Sequence, residues 1–193
     1  MTEPTANPAV APVPDRAEAE AAIARLVGER LRDVPDFPKP GVLFKDFTPL
    51  LGDGPALRAL VDDIAARYAG RVDAVVGIEA RGFILGAAVA YVLGVGFIPV
   101  RKAGKLPADT HEATYTLEYG TATLEIHVDA LVAGHRVVII DDVLATGGTA
   151  AATCDLVERA GGLVVAVEVV LEVGFLAGRS ALPGREVHSV LVT

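Results

Sequence analysis

Hydrophobic and polar positions along this chain predict strands and helices in alternation. Four apolar runs rich in Val and Ile have the length of buried strands, at 74–78, 95–100, 136–140 and 163–171. Segments with apolar residues at helical spacing lie at about 15–32, 55–68, 83–93 and 149–160. Because strands that are apolar on both faces need cover on both faces, we predict an α/β fold with a mostly parallel central sheet flanked by helices.

Three segments depart from this alternation. The stretch 102–113 is polar, contains Gly104 and Pro107, and has no core-forming pattern, so we predict a mobile lid there. It leads into a predicted hairpin with strands at 114–118 and 121–127. Three prolines and a glycine between 35 and 41 predict an irregular segment, within a small hood of about 33–50.

Composition narrows the classes of function. The chain has 193 residues, which suits one domain, predicted over 15–193 after a disordered tail at 1–14 that is rich in Pro and Ala. A net charge of -8 argues against bulk nucleic-acid binding. No apolar run approaches the roughly 20 residues that cross a bilayer. Cys154 is the single cysteine, and no secretion signal is recognisable, so we expect a cytoplasmic protein without membrane or nucleic-acid partners.

The segment 137–149 carries the strongest chemical signal. An apolar run is followed by Asp141 and Asp142, then by a loop of five small or flexible residues, and then by a helical segment. Backbone N–H groups of such a loop and the helix N-terminus bind phosphate, and adjacent carboxylates accept hydrogen bonds from sugar hydroxyls. The loop residues are Ala145, Thr146, Gly147, Gly148 and Thr149. The alternative is an ordinary strand–helix turn in which Thr149 is the N-cap.

This segment resembles the phosphoribosyl-pyrophosphate (PRPP) signature of type I phosphoribosyltransferases. Further segments resemble the members of that family that act on adenine, and they lie at 35–46, 79–83, 101–107, 117–120 and 124–127. The resemblance covers about 34–182. It implies the type I fold, and transfer of phosphoribose from PRPP to adenine, which gives AMP and pyrophosphate. It also implies Mg²⁺ carried by PRPP without a tight protein metal site, and a homodimer.

The resemblance assigns roles to particular residues. Asp141, Asp142 and the loop 145–149 would bind PRPP and AMP. Glu118, Arg81 and Lys105 would be catalytic, with Glu118 as general acid and base. The pyrophosphate would meet a set dominated by positive charge: Glu79, Ala80, Arg81, Arg101, Lys102 and Lys105. Adenine would be bound by Leu43, Phe44, Lys45 and Val173, with Tyr119 in the lid.

Two other functions remain open from the sequence. One is a phosphoribosyltransferase for another purine, and the other is a regulator that binds PRPP without turnover. A regulator of that kind would need a DNA-binding element and a basic surface, whereas a purely structural protein would leave the acidic pair and the predicted lid unexplained.

Overall fold

The computed structural model of the protein describes residues 15–116 and 121–193, and it shows strands and helices in the predicted alternation. The strands are β1 (Arg32–Pro35), β2 (Leu43–Asp46), β3 (Ala74–Ile78), β4 (Gly96–Lys102), β5 (Thr110–Thr116), β6 (Thr121–His127), β7 (Arg136–Leu144), β8 (Leu163–Glu172) and β9 (Val187–Val192). The helices are α1 (Arg16–Arg30), α2 (Thr48–Gly52), α3 (Gly54–Tyr68), α4 (Arg81–Leu93) and α5 (Gly148–Arg159). Two 3₁₀ helices follow β8, at Gly174–Leu176 and Gly178–Ala181. The predicted tail and residues 117–120 lie outside the described residues.

Seven strands form the central sheet, in the order β5-β6-β4-β3-β7-β8-β9. The five strands from β4 to β9 in that order are mutually parallel. The two strands at the other edge are antiparallel, β6 to β4 and β5 to β6. The prediction of a mostly parallel sheet is therefore confirmed, and the predicted hairpin is its edge.

Alternate residues of the central strands enter two separate cores. Val138 and Ile140 pack with α1 to α4 on one face, whereas Val137 and Ile139 pack with α5 and the hairpin on the other. All four side chains are fully buried. Because successive side chains of a strand point to opposite faces, a strand covered by helices on both sides must be apolar throughout. No helix among the described residues is long and apolar enough to cross a membrane.

The proline-rich segment is more regular than predicted. β1 and β2 pair antiparallel, with Val34 opposite Phe44, and Pro35 ends β1 opposite Leu43. Pro38, Pro40 and Gly41 lie in the connection between the two strands. Gly41 has φ +84°, and its N–H donates to Asp36 Oδ1 at 2.7 Å. The Phe37 and Phe44 rings meet edge to face at 5.1 Å. Proline and glycine signals correctly marked the turn, but the cross-strand pairing depended on partners about ten residues away.

Two other predicted boundaries are wrong. β7 does not end before the acidic pair but runs to Leu144, because β8 extends alongside and pairs Asp141 with Val169 and Leu144 with Glu172. The stretch 110–113, predicted as part of an irregular lid, belongs to β5, where His111 lies opposite Ile126. Pairing with an apolar neighbour supplied order that the polar sequence of β5 did not signal.

Candidate active site

The candidate site lies at the point where the chain changes direction across the sheet. From β3 the chain passes through α4 to β4 on one side, and from β7 it passes through α5 to β8 on the other. Such a switch point leaves a crevice outside the carboxyl ends of the two central strands. Arg81 follows β3 and Asp142 lies near the end of β7, so the fold brings together two predicted site residues 61 positions apart.

Arg81 forms an ion pair with the acidic pair and also contacts the hood. Its Nε lies 2.5 Å from Asp142 Oδ2, and its guanidinium carbon lies 5.5 Å from the Phe44 ring centroid and 5.6 Å from that of Phe47. The peptide bond between Glu79 and Ala80 is cis. Stacking on two aromatic faces holds the guanidinium while leaving 37% of the side chain exposed. The Arg81 side chain is therefore oriented and still accessible.

Asp142 Oδ2 is buried and receives no hydrogen bond from the described residues. Its contact with Arg81 is close, but the donor geometry is not that of a hydrogen bond. Leaving a buried acceptor without a donor is unfavourable, so this oxygen is an acceptor suited to a ligand hydroxyl.

Asp141 differs electrostatically from its neighbour. Burial raises the pKa of the Asp141 carboxyl well above its ordinary value, and the negative charge of Asp142 raises it further. The Asp142 N–H donates to Asp141 Oδ1 at 2.9 Å, which opposes the shift without cancelling it. Two adjacent carboxylates at this position concentrate negative charge that a cationic partner would relieve.

The first turn of α4 approaches Asp141 closely because residue 82 is glycine. A Cβ at Gly82 would lie 2.6 Å from the Ile140 carbonyl oxygen and 3.3 Å from Asp141 Oδ1. Any larger side chain would push α4 away from β7. Gly82 therefore sets the distance between the Arg81 turn and the acidic pair.

Residues 145–149, here called the phosphate loop, are held from behind by the segment after β8. Gly147 has φ +84°, and a Cβ there would lie 2.2 Å from the Gly178 carbonyl oxygen. A Cβ at Gly178 would lie 2.3 Å from the Ala145 carbonyl oxygen. A cleft of about 70 Å³ is lined by the loop and by one carboxylate: Asp141, Ala145, Thr146, Gly147 and Thr149 are among its residues. The loop and Asp141 therefore face one space.

The beginning of α5 does not fit the alternative of an ordinary strand–helix turn with Thr149 as the N-cap. The helix begins at Gly148 with Gly147 as N-cap, so Thr149 is its second residue. The Thr149 hydroxyl donates to the Tyr115 hydroxyl at 3.1 Å, which ties β5 to the start of α5. Each of these hydroxyls can donate or accept, so Thr149 can donate to a phosphate while it accepts from Tyr115.

Glu79 accepts hydrogen bonds from two of the basic residues predicted to bind pyrophosphate. Arg101 Nε donates to Glu79 Oε2 at 3.2 Å, and the Lys102 N–H donates to the same oxygen at 3.1 Å. Arg101 Nη1 also donates to the Lys105 carbonyl oxygen at 3.0 Å. Partial burial acts to raise the pKa of Glu79, but the Lys102 amide and Arg101 outweigh it and the pKa lies below its ordinary value. Glu79 thus orients Arg101 in this structure.

The predicted adenine residues divide between two faces of β2. Phe44 faces Arg81, whereas Leu43 and Lys45 alternate with it along the strand and lie on the other face. Leu43 is 55% exposed, and Lys45 Nζ pairs with Asp33 Oδ1 at 2.5 Å across the two strands. Val173 follows β8, and its N–H donates to the Leu144 carbonyl oxygen at 2.9 Å, near the phosphate loop. Of the predicted adenine residues, Phe44 is the one that lies against Arg81.

Three residues near the site were not singled out from the sequence. Phe47 contacts Arg81, and Tyr115 contacts Thr149. No local sequence pattern distinguishes these two residues from core or surface aromatics. Glu125 does carry a sequence signal, since it is an acidic residue between the apolar residues Leu124 and Ile126. The structure buries all three.

Glu118 and Tyr119 lie outside the described residues, so their predicted roles remain predictions. Within 15–116 and 121–193 no group of three or more His, Cys, Asp or Glu side chains could hold a metal ion.

Comparison with known proteins defines the class that this fold and site represent. Residues 51–181 match the family model described as the phosphoribosyl transferase domain. A relative from Salinispora tropica, named adenine phosphoribosyltransferase, is 61% identical over 178 residues, which are 91% of this chain and 94% of that protein. The chain belongs to the adenine phosphoribosyltransferases, within the type I phosphoribosyltransferase family.

Solved structures agree with this assignment. The crystal structure of adenine phosphoribosyltransferase from Rhodothermus marinus has a TM-score of 0.84 and 50% identity, and the match covers 90% of this chain and 99% of that one. The enzyme from Saccharomyces cerevisiae, solved with an imino-altritol bisphosphate and adenine, has a TM-score of 0.85 and 41% identity, over 89% of this chain and 99% of that one. The predicted type I phosphoribosyltransferase fold is confirmed.

The packing of the phosphate loop predicts the effect of Gly147→Ala. The new Cβ would meet the Gly178 carbonyl at a left-handed φ, so the loop must shift. We expect PRPP to bind at least about tenfold more weakly by calorimetry. Gly54→Ala is the matched control, because a Cβ there meets nothing within 4 Å. Wild-type PRPP affinity in Gly147→Ala would contradict the role of this close approach.

The raised pKa of Asp141 predicts that Asp141→Asn stabilises the ligand-free protein. Above that pKa the ionised carboxylate costs the folded state free energy, and the amide does not. We expect a gain on the order of 1 kcal/mol at neutral pH, a rise in Tm of about 2–4 °C for a chain of this size.

The gain should shrink as the pH falls through the raised pKa, because folded wild-type Asp141 then takes up a proton. Asp129→Asn removes one exposed charge and should leave the Tm unchanged at either pH. Scanning calorimetry of both variants at neutral and acid pH makes the comparison, and an equal gain at both pH values would refute the electrostatic cause.

Proposed function

We propose that this chain transfers the phosphoribosyl group of PRPP to adenine, which yields AMP and pyrophosphate, at the crevice between β3 and β7. The observation that carries the proposal is the arrangement of Arg81, Asp141 and Asp142 beside the phosphate loop. It places fixed positive charge, paired carboxylates and a backbone anion site around one crevice. Those are the groups needed to hold a pyrophosphate, a ribose and a 5′-phosphate.

The 5′-phosphate is assigned to the phosphate loop. The loop precedes α5, whose first N–H groups have no partner within the helix and favour an anion. Asp141 lines the same cleft, so a pentose whose phosphate occupies the loop has its hydroxyls beside the acidic pair. Asp142 Oδ2, which lacks a hydrogen-bond donor in this structure, is the acceptor for one of them.

Departure of pyrophosphate needs positive charge that can reach it. Arg81 is partly exposed and close to Asp142, so it can exchange this partner for the pyrophosphate. Arg101 and Lys105 lie next to each other and supply further charge, with Lys102 at the same strand end. As the bond at the ribose C1′ breaks, the sugar becomes cationic, and the carboxylates of Asp141 and Asp142 stabilise that charge.

Adenine is assigned to the space between the hood and the acidic pair. Phe44 offers an aromatic face there, and Val173 follows the strand beside the phosphate loop. Backbone groups near Leu43 and Lys45 would read the 6-amino group and N1, and oxopurines present the opposite donor pattern. Glu118 is proposed to handle the proton on the imidazole ring as N9 attacks C1′.

Mg²⁺ is proposed to arrive with PRPP and to neutralise its diphosphate when bound. Mg²⁺ typically keeps several waters and takes one or two carboxylates besides phosphate oxygens, and Asp141 and Asp142 are the carboxylates in this crevice. Neither carboxylate is assigned as a tight ligand.

A cytoplasmic location is proposed because Cys154, the single cysteine, is free and buried, which suits a reducing compartment.

A homodimer is proposed on the exposed face of α4. Tyr91 and Val92 follow Ile84 by seven and eight residues, about two helical turns, and the three are 48% (Ile84), 87% (Tyr91) and 49% (Val92) exposed. Large apolar side chains aligned on one helix face favour burial against another surface. The family resemblance implied a homodimer, and α4 leads directly to β4, the strand that carries Arg101.

The decisive test of the reaction is AMP formation from adenine and PRPP with Mg²⁺, with hypoxanthine, guanine and xanthine assayed in parallel. We expect AMP formation with adenine and no turnover of the other three purines.

Glu118→Gln should lower kcat by about 10²–10⁴-fold while KM for adenine changes little. The double variant Asp141→Asn with Asp142→Asn should be inactive but folded. Binding of PRPP without AMP formation would favour the regulator, and turnover of an oxopurine would favour another purine enzyme.

The dimer has a test of its own. Tyr91→Arg places a charge in the centre of the exposed apolar face, so we expect a dimeric wild type and a monomeric variant by sedimentation velocity. Val132→Arg is the matched control, because Val132 is 65% exposed and lies away from α4. A wild-type monomer, or a Tyr91→Arg dimer of wild-type stability, would exclude this interface.

A further inference from the structure

Glu125 lies on β6 and has an unusual set of hydrogen-bond partners. Its carboxylate accepts three backbone N–H groups from one loop: Gly104 at 3.0 Å, Lys105 at 2.7 Å and Leu106 at 2.6 Å. The residue is only 3% exposed. A buried carboxylate is costly unless it is fully hydrogen-bonded, and three amide donors meet that need.

The same loop, residues 103–107, is bound at both ends as well. The Ala103 N–H donates to the Thr123 carbonyl oxygen at 3.0 Å, and His127 Nε2 lies 2.5 Å from the Pro107 carbonyl oxygen. Glu125 and His127 alternate with Ile126, so the hairpin strand holds the loop at two successive positions on one face. Residues 103–107 are thus anchored to β6, although they fall within the predicted lid.

The anchored loop carries a cation of the proposed site. The Lys105 carbonyl oxygen accepts from Arg101 Nη1, so the backbone of Lys105 is fixed by Glu125 on one side and by Arg101 on the other. Burial acts to raise the pKa of Glu125, but the amides of Leu106, Gly104 and Lys105 outweigh it and the pKa lies below its ordinary value. The carboxylate is therefore ionised at neutral pH, which makes its hydrogen bonds strong.

We propose that Glu125 is a positioning residue of the pyrophosphate site, which holds Lys105 in place through the backbone before the ligand arrives. The proposal rests on the pyrophosphate role given above to Lys105. Its physical basis is preorganisation: a cation on a fixed backbone loses less conformational entropy when it binds a phosphate than one on a free loop. His127 supports the same loop from its far end.

Glu125→Gln tests this directly, because the amide retains the size of the side chain. With its oxygen at the Oε1 position the NH₂ faces the Gly104 N–H, and in the other orientation it faces the Lys105 and Leu106 N–H groups. At least one hydrogen bond is lost either way. We expect KM for PRPP to rise about tenfold while KM for adenine stays within about twofold. The control is Asp129→Asn, which changes an exposed acid four residues after Glu125 and should match wild type.

A double-mutant cycle with Lys105→Ala separates positioning from general stability. If Glu125 acts through Lys105, adding Glu125→Gln to Lys105→Ala should raise KM for PRPP little further. A general loss of packing would instead add its full effect in both backgrounds and would raise KM for both substrates. Additive effects, or equal rises for PRPP and adenine, would overturn the proposal.

Limited trypsin digestion gives a readout that does not require activity. Release of the loop should expose the bond after Lys105, so cleavage there, followed by mass spectrometry, should be faster in Glu125→Gln than in wild type or Asp129→Asn. If Glu125→Gln does not fold, His127→Ala is the second test. It removes the contact to Pro107 but leaves the three amide bonds of Glu125, so it should give a smaller change in the same direction.

The outcomes for the reaction and for Glu125 are distinguishable. Absence of AMP formation by the wild-type protein would defeat the proposed function. Wild-type turnover together with unchanged PRPP kinetics and unchanged cleavage in Glu125→Gln would defeat only the role of Glu125.

Discussion

The contact between Arg81 and Asp142 is the interaction on which the site depends. It joins the turn after β3 to the end of β7, the two strands between which the sheet changes direction. Phe44 and Phe47 stack on the same guanidinium, so the hood is attached to this point as well. A single partly exposed cation thereby fixes the relative positions of the hood, the acidic pair and the first turn of α4.

Close backbone approaches make that contact possible. Gly82 lets α4 come within contact distance of β7, and Gly147 and Gly178 let the phosphate loop lie against the segment after β8. At each position a Cβ would lie 2.6 Å or less from a carbonyl oxygen. These glycines are needed because backbone has to pass backbone, and a phosphate site built from main-chain amides requires that same proximity.

The acidic pair carries negative charge that costs the folded protein stability and that a ligand can relieve. Asp141 is partly buried beside a second carboxylate, and Asp142 has an oxygen without a hydrogen-bond donor among the described residues. Glu79 and Glu125 behave differently, because each is well bonded and serves to orient a neighbouring cation or loop. Acidic residues near the proposed pyrophosphate site are therefore explained as supports for basic residues, while the acidic pair faces the sugar.

The sequence by itself determined the order and type of the main elements and the chemistry of segment 137–149. Strands apolar on both faces, helical spacing and a contiguous acidic pair with a glycine loop are local properties that a linear pattern records. It did not determine the end of β7 or the start of β5, because those depend on β8 and β6 as pairing partners.

Only the tertiary structure decided which distant residues meet. Arg81 reaches Asp142, Gly147 meets Gly178, and Glu125 holds the loop of Lys105, across separations of 20 to 61 positions in the chain. These contacts follow from strand order and register, which are set by how the two cores pack around the sheet. A local pattern cannot carry that information, because the same residues in another strand order would face different neighbours.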